Sequence, residues 1–446
     1  MTTKMCLCCA FVSTMLLGAA GGCAGEQEGD PGDPELGIAL AFGDSLPGID
    51  PADFAEARDA FNLVEELGDG LGPIFNERAC GNCHTLGSQG GAGEQVERRF
   101  GRFVNGAFDP MESSGGSLRQ LFTVGTFTRA DGQICNAPQE VEPGGATVHN
   151  VGRLTTPLFG LGLVDAMPDS FFDGLAAAEP PNQRGTVNRV RILLPNPDDP
   201  SQSLNGTRVG RFGWKAGIAT LMQFAADAYI NEMGISTQSC ISGTSVLTFA
   251  TESAPSGAPQ PVGCDDLAPA PPAGIPVGTD DAVGSCAGGL TEIQDDVAEF
   301  AEFMTFLAPP TRGPITPDVT AGEPLFTSVG CAACHTTTTF VTPGNTGNGV
   351  PGNTSFRPFS DFLVHDMGTL GDQIGNAGDS LAVTRRMRTA PLWGIRVRNK
   401  LLHDGRTTDI GTAILAHDGQ GAAAREAFRL LSGPNQHNLT EFVRSL

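Results

Sequence analysis

Tyrosine is almost missing from this chain of 446 residues: Tyr229 stands alone against 26 phenylalanines. A phenolate ligand for any metal therefore has one possible source. Basic residues are also scarce, 27 Lys and Arg against 50 Asp and Glu, for a net charge of −23. That balance excludes a nucleic-acid partner, which needs cationic patches, and favours a basic protein partner steered by the field. Beyond residue 22 no uninterrupted apolar run reaches the ~18 residues of a membrane-spanning helix. What is abundant is Gly (60) and Pro (32), the residues of loops rather than long helices. With 40% hydrophobic and 17% charged residues the composition is globular, and the length gives roughly three domains as a soft prior.

Lys4 is the one charged residue before Glu26, and the stretch between them is apolar with small residues at its end. This pattern predicts a secretory signal over 1–23. Cys23 after small residues resembles a lipobox, with Ala20 where Leu is usual, so lipidation at Cys23 competes with simple cleavage and with an uncleaved anchor. An acidic Gly/Pro-rich linker follows over 24–50. The expected location is the periplasm, with or without a lipid tether.

Of twelve Cys, eight lie beyond this segment, and four of those form Cys80-Gly-Asn-Cys83-His84 and Cys331-Ala-Ala-Cys334-His335. C-x-x-C-H is the attachment signature of haem c: two thiols add to the vinyl groups and the histidine becomes the proximal iron ligand. Zinc sites place their second Cys pair ~15–20 residues away, whereas these pairs lie in opposite halves of the chain. Two covalent haems are expected, on Cys80, Cys83 and His84 and on Cys331, Cys334 and His335. The remaining Cys135, Cys240, Cys264 and Cys286 predict two disulfides, for which three pairings are open.

The chain repeats itself. Phe75 to His84 parallels Phe326 to His335, and Thr155-Thr-Pro157-Leu-Phe-Gly160 parallels Thr389-Ala-Pro391-Leu-Trp-Gly394. The block that starts at Trp214 parallels the one at His403. Apolar spacing predicts helices over 54–67, 216–233, 291–307, 422–431 and 439–446, and Pro309-Pro310 marks a boundary. The expected architecture is mainly α: two cytochrome c-like haem domains, 51–308 and 309–446, with long irregular insertions.

The ordered set of motifs, with Gly160-Leu-Gly-Leu-Val-Asp-Ala-Met-Pro168, Gly210-Arg-Phe-Gly-Trp-Lys-Ala216 and His365-Asp-Met-Gly368, resembles the bacterial di-haem cytochrome c peroxidases. It is closer still to their longer-looped relatives, the di-haem oxidoreductases. The resemblance implies that one haem relays electrons and the other binds peroxide. It implies Trp214 as the residue between the haems, Gln223 and Glu232 as distal groups of the peroxide site, and His403 as a propionate contact. Core packing, a helix-end acid and a backbone-satisfied histidine are the alternatives for Trp214, Glu232 and His403. His417, fourteen residues after His403, occupies the peroxidases' Met-ligand position and so implies bis-His ligation with His335. In one relative a Tyr ligates there, but Tyr229 lies in the other half. For the N-terminal iron, His149 as sixth ligand and an open site are both open readings, with Met111, Met167 and Met233 as outsiders. The peroxidases also hold a calcium ion between their domains. The expected function is an exported di-haem peroxidase that draws electrons from a small basic cytochrome or copper protein. A pure electron carrier and an oxidase of another substrate are the alternatives.

Overall fold

The computed structural model describes residues 40–446 except 115, 129–131, 133, 197–198, 236, 242–244 and 250–294. The proposed signal, its lipid site at Cys23, most of the linker, and Cys264 and Cys286 lie outside the described residues. Cys135 is disulfide-bonded. Among the described residues no helix is long and apolar enough to cross a membrane.

Helix α1 (Pro51–Phe61) starts where the Asp50 carboxylate accepts the Ala52 N–H and Pro51 fills the first turn. It buries Phe54, Ala57 and Phe61, one face at helical spacing. Helix α2 (Leu221–Ala228) is capped by Thr220, whose hydroxyl accepts the Gln223 N–H, and it runs into a π-helical turn over Tyr229–Met233. Helix α3 (Asp295–Phe306) packs on α1 through Phe303, whose ring lies 4.6 Å from Phe61 and 5.5 Å from Phe54. Burying such a ring is worth ~1.5–3 kcal/mol, so these helices are held by phenylalanine rather than by propensity.

The C-terminal part is built from α4 (Pro317–Ser328), α5 (Ile410–Leu415), α6 (Ala422–Arg429) and α7 (Gly433–Arg444). Phe326 of α4 meets Phe442 of α7 at 5.1 Å. Helix α4 delivers the second cysteine pair, yet its Pro317, Gly322 and Pro324 hide it from a periodicity reading.

The expectation of a mainly α fold is corrected: the chain is 33% helix and 17% strand, with many small sheets. The largest stands between the first cysteine pair and the first repeated Thr-x-Pro-Leu segment. Strand β1 (Val96–Val104) pairs antiparallel with β2 (Ala107–Asp109), β3 (Leu118–Arg119) and β4 (Val148–Leu154). Asn105 and Gly106 form the two-residue loop between β1 and β2, both at positive φ (53° and 83°), the geometry of a type I′ hairpin. Later, β5 (Val364–Asp366) pairs with β6 (Arg386–Arg388). Such hairpins satisfy backbone groups locally where Gly and Pro forbid helix.

The two copies of the repeated segment touch. At Gly160 (φ +66°) a Cβ would lie 2.7 Å from the Trp393 ring, and at Gly394 (φ +70°) one would meet the Phe159 ring at 3.5 Å. Each repeat's glycine thus receives the other repeat's aromatic residue. One hydrophobic core joins the halves here, with Leu163, Val164 and Met167 against Phe340, Phe362 and Trp393.

Candidate functional site

Cys80 and Cys83 flank a one-turn helix (Cys80–Cys83), closed by the His84 N–H donating to the Cys80 carbonyl at 3.1 Å. Both thiols are free, and burial holds the Cys83 thiol up at about 12. The three side chains open into one cavity of about 1260 Å³. Ordinary small-ligand pockets hold ~300–1000 Å³, so there is room for a large prosthetic group. His84 Nδ1 lies 3.0 Å from the Gly91 carbonyl. Donation there makes Nε2 the lone-pair nitrogen, and burial pushes the ring pKa down to about 4. His84 is therefore a neutral imidazole, the ligating form.

The second motif repeats this chemistry. Cys331 and Cys334 are free and half-buried. His335 Nδ1 sits 2.9 Å from the Phe359 carbonyl, and burial brings its pKa to about 4, with the nearby His417 adding to the fall. His417, just past α5, places its Nδ1 2.9 Å from the Ala413 carbonyl, and burial lowers its pKa too. The structure thus brings His335 and His417 together, each with Nδ1 tied to backbone. Beside them, Cys334 Sγ lies 3.6 Å from His365 Nδ1, and His365 Nε2 lies 2.9 Å from Asp361 Oδ2. Ligand atoms of these three residues lie within 4.8 Å of one another. His365 and Asp361 thus form a buried pair behind the Cys334 sulfur.

Glu232 stands in the π-helical turn and lines the His84 cavity. Asn76 Nδ2 donates to its Oε2 at 2.8 Å, and its backbone carbonyl accepts the Asn76 N–H at 2.7 Å. Burial, then the Glu97 carboxylate, push Glu232 up to about 8, which the Arg99 cation partly offsets. Arg99 grips Glu97 through two bonds of 2.6 and 3.2 Å. Asp227 lines the same wall and is pushed up to about 6 by burial. Gln223 is turned away: its Oε1 accepts the Leu193 N–H at 3.1 Å. Of the two, Glu232 lines the cavity and Gln223 does not.

Trp214 lines the cavity, and its Nε1 donates to the Leu154 carbonyl at 2.8 Å. The Leu154 N–H in turn donates to the His403 carbonyl at 2.6 Å. The rings of Trp214 and His403 meet edge-on at 6.2 Å, and burial lowers the His403 pKa to about 4. His149 is placed elsewhere: its exposed ring pairs with Glu142 at 2.5 Å, off the cavity wall. Among the described residues His84 is the one histidine on that wall, which also carries Met233 and Met304. Met111 and Met167 are buried off the cavity wall, and His437 is exposed, facing Asp318.

Sequence reasoning missed Asn76, Glu97, Arg99 and Asp227 as members of the site. It also missed Asp372, whose carboxylate lies 2.8 Å from Arg153 Nε and 2.5 Å from the Nζ of Lys215, the residue after Trp214. The Asn105-Gly106 turn was the available signal for the strand that carries Glu97 and Arg99.

One cavity thus gathers two free thiols, a neutral histidine and a carboxyl held well above its ordinary range, a set that fits a prosthetic group attached through sulfur and held by imidazole. Residues 146–446 match the family described as "Di-haem oxidoreductase, putative peroxidase", and the chain belongs to that family. The match contains Trp214, Glu232, the second C-x-x-C-H motif, His403 and His417, and it begins beyond the first motif. Haem is accordingly the cofactor of the family. No curated protein matches the chain. Among solved structures it is similar to hydrazine synthase of Kuenenia stuttgartiensis, at 13% identity over 98% of this chain and 99% of that one, with a TM-score of 0.37.

Proposed function

We propose that the protein is an exported di-haem c-type cytochrome with peroxidase-like activity. Electrons enter at the His335–His417 site and pass Trp214 to the His84 site, where peroxide is reduced. The observation that carries this reading is the shared cavity of His84 and Glu232. The bound haem iron supplies the redox chemistry. Cys80, Cys83 and His84 hold one haem; Cys331, Cys334, His335 and His417 hold the other. Glu232, held by Asn76 and raised above the ordinary carboxylate range by burial and the Glu97 charge, takes a proton from one peroxide oxygen and returns it to the other, the work of a general acid–base. The His84 wall offers no second imidazole among the described residues, so a haem there would not be held by two histidines; Met233 and Met304 are the thioethers on the same wall. The His417 imidazole, near enough to His335 to depress its pKa, supports a relay at the other haem.

Intact mass of the exported protein tests the attachment: it exceeds the polypeptide by two haems. Stopped-flow mixing of the half-reduced protein with peroxide tests the activity. The His84 haem spectrum changes first and the other haem is then oxidised; unchanged spectra at both would leave an electron carrier. His417→Met raises the potential of the C-terminal haem, since thioether favours reduced iron relative to imidazole. A potentiometric titration that finds no change removes His417 from the coordination shell. We assign the electron donor to a small basic exported protein drawn by the −23 charge, so that turnover falls as salt screens the attraction.

A further inference from the structure

The chain's one tyrosine sits beside the His84 site, fully buried at 1% exposure. Its hydroxyl donates to Asp296 Oδ2 at 3.2 Å and also hydrogen-bonds the Glu65 carboxyl. Glu65 is itself buried, and burial followed by the Asp296 charge pushes it up to about 7. A buried phenol kept only for packing needs one neutral acceptor, such as a backbone carbonyl. Two acids around it cost desolvation that such a role does not repay.

The ring of Tyr229 is also the end of an aromatic series. It meets Phe300 edge-on at 5.2 Å, Phe300 meets Phe61 at 6.4 Å, and Phe61 meets the His84 imidazole at 5.8 Å. Phe300 and Phe61 line the same cavity as Cys80 and Cys83. The other candidate relay, Trp214, donates its N–H to a backbone carbonyl, with no carboxylate to take the proton. The π-helical turn that brings Glu232 to the cavity is the one that starts at Tyr229.

We propose that Tyr229 is a redox-active residue of the His84 site, giving one electron along Phe300 and Phe61 and its phenolic proton to Asp296. The step balances: the Tyr O–H bond breaks, a new O–H bond forms on Asp296, and the electron cancels one oxidising equivalent on the haem side. A neutral tyrosyl radical remains. A donor electron returned along the same path and the proton returned from Asp296 restore the phenol. For its natural oxidant, a peroxide-oxidised haem, the proposal rests on the peroxidase reading. Its role is to hold an oxidising equivalent when the external donor is late.

Because Tyr229 is the single tyrosine, ring-deuterated tyrosine labels it alone and needs no substitution. The di-haem protein is photo-oxidised with a ruthenium tris-bipyridine flash and a cobalt quencher, and in a separate arm it is mixed with hydrogen peroxide. Both are frozen for electron paramagnetic resonance. The photo-oxidised sample is expected to show a radical whose proton hyperfine structure collapses on deuteration and is lost in Tyr229→Phe. Asp296→Asn is expected to lose the signal while both haem spectra are retained. No radical in the photo-oxidised arm, or one indifferent to deuteration, overturns the proposal, and an undiminished radical in Asp296→Asn overturns its proton path. In the peroxide arm the haem absorbance reports on the other reading: unchanged haem spectra beside a tyrosyl signal in the photo-oxidised arm would sink the peroxidase assignment and leave Tyr229 redox-active.

Discussion

Glu232→Gln slows peroxide turnover by ~10²–10⁴-fold, the range for losing a positioned proton shuttle. The substitution keeps the length of the side chain and an oxygen to accept the Asn76 bond of 2.8 Å. What it removes is the ability to take a proton and return it. Neither haem-attachment motif involves Glu232, so both haem spectra persist, and the loss appears in the first phase of stopped-flow mixing rather than in electron delivery from the second haem. A variant within about threefold of the parent would exclude Glu232 as the shuttle. Asp227, on the same wall with a pKa of about 6, would then be the acid to replace.

Asp372→Ala destabilises the fold by ~3–5 kcal/mol, the cost of removing one partner of a buried ion pair. The Asp372 side chain is fully buried, and Arg153 and Lys215 are only 11% and 22% exposed. Burial alone would raise its pKa; the two cations overcome that and hold the carboxyl far below its ordinary range. A depressed folded pKa contributes stability above the unfolded value of ~3.9 and loses it as pH falls toward the folded one. Urea unfolding at pH 7 therefore shows the full difference between parent and variant, and the difference narrows below about pH 4. A variant that unfolds at the parent's midpoint at pH 7 would show that water or other acids pair the two cations. Lys215 follows Trp214 directly, so the same carboxylate also fixes the residue read as the relay.

The parts legible in the sequence were those fixed by covalent spacing. A C-x-x-C-H motif sets its two sulfurs and its imidazole within one helical turn, so Cys80, Cys83 and His84 converge in any fold that accommodates them. Helices with a clean apolar face, such as α1 and α3, were also readable. The strands were not. Val96–Val104 reads Glu-Arg-Arg-Phe-Gly-Arg in its interior, because Arg99 turns into a polar cavity instead of an apolar core, and the alternation that marks a strand is lost. The fold class was misjudged for this reason. Gln223 and Glu232 were read together from the family resemblance, whereas Gln223 accepts the Leu193 N–H and Glu232 lines the cavity. Asn76 and Asp372 act through partners more than 150 positions away in the chain, and no local pattern carries that information.

The crossed contacts of Gly160 with Trp393 and Gly394 with Phe159 have the form of an isologous interface, in which residue i touches j and j touches i. At this contact the two repeated segments meet as the two sides of a homodimer do. Being in one chain frees them from having to stay identical elsewhere. Only the residues at the crossing stay bound to each other's shape, so drift at Trp393 must be answered at Gly160.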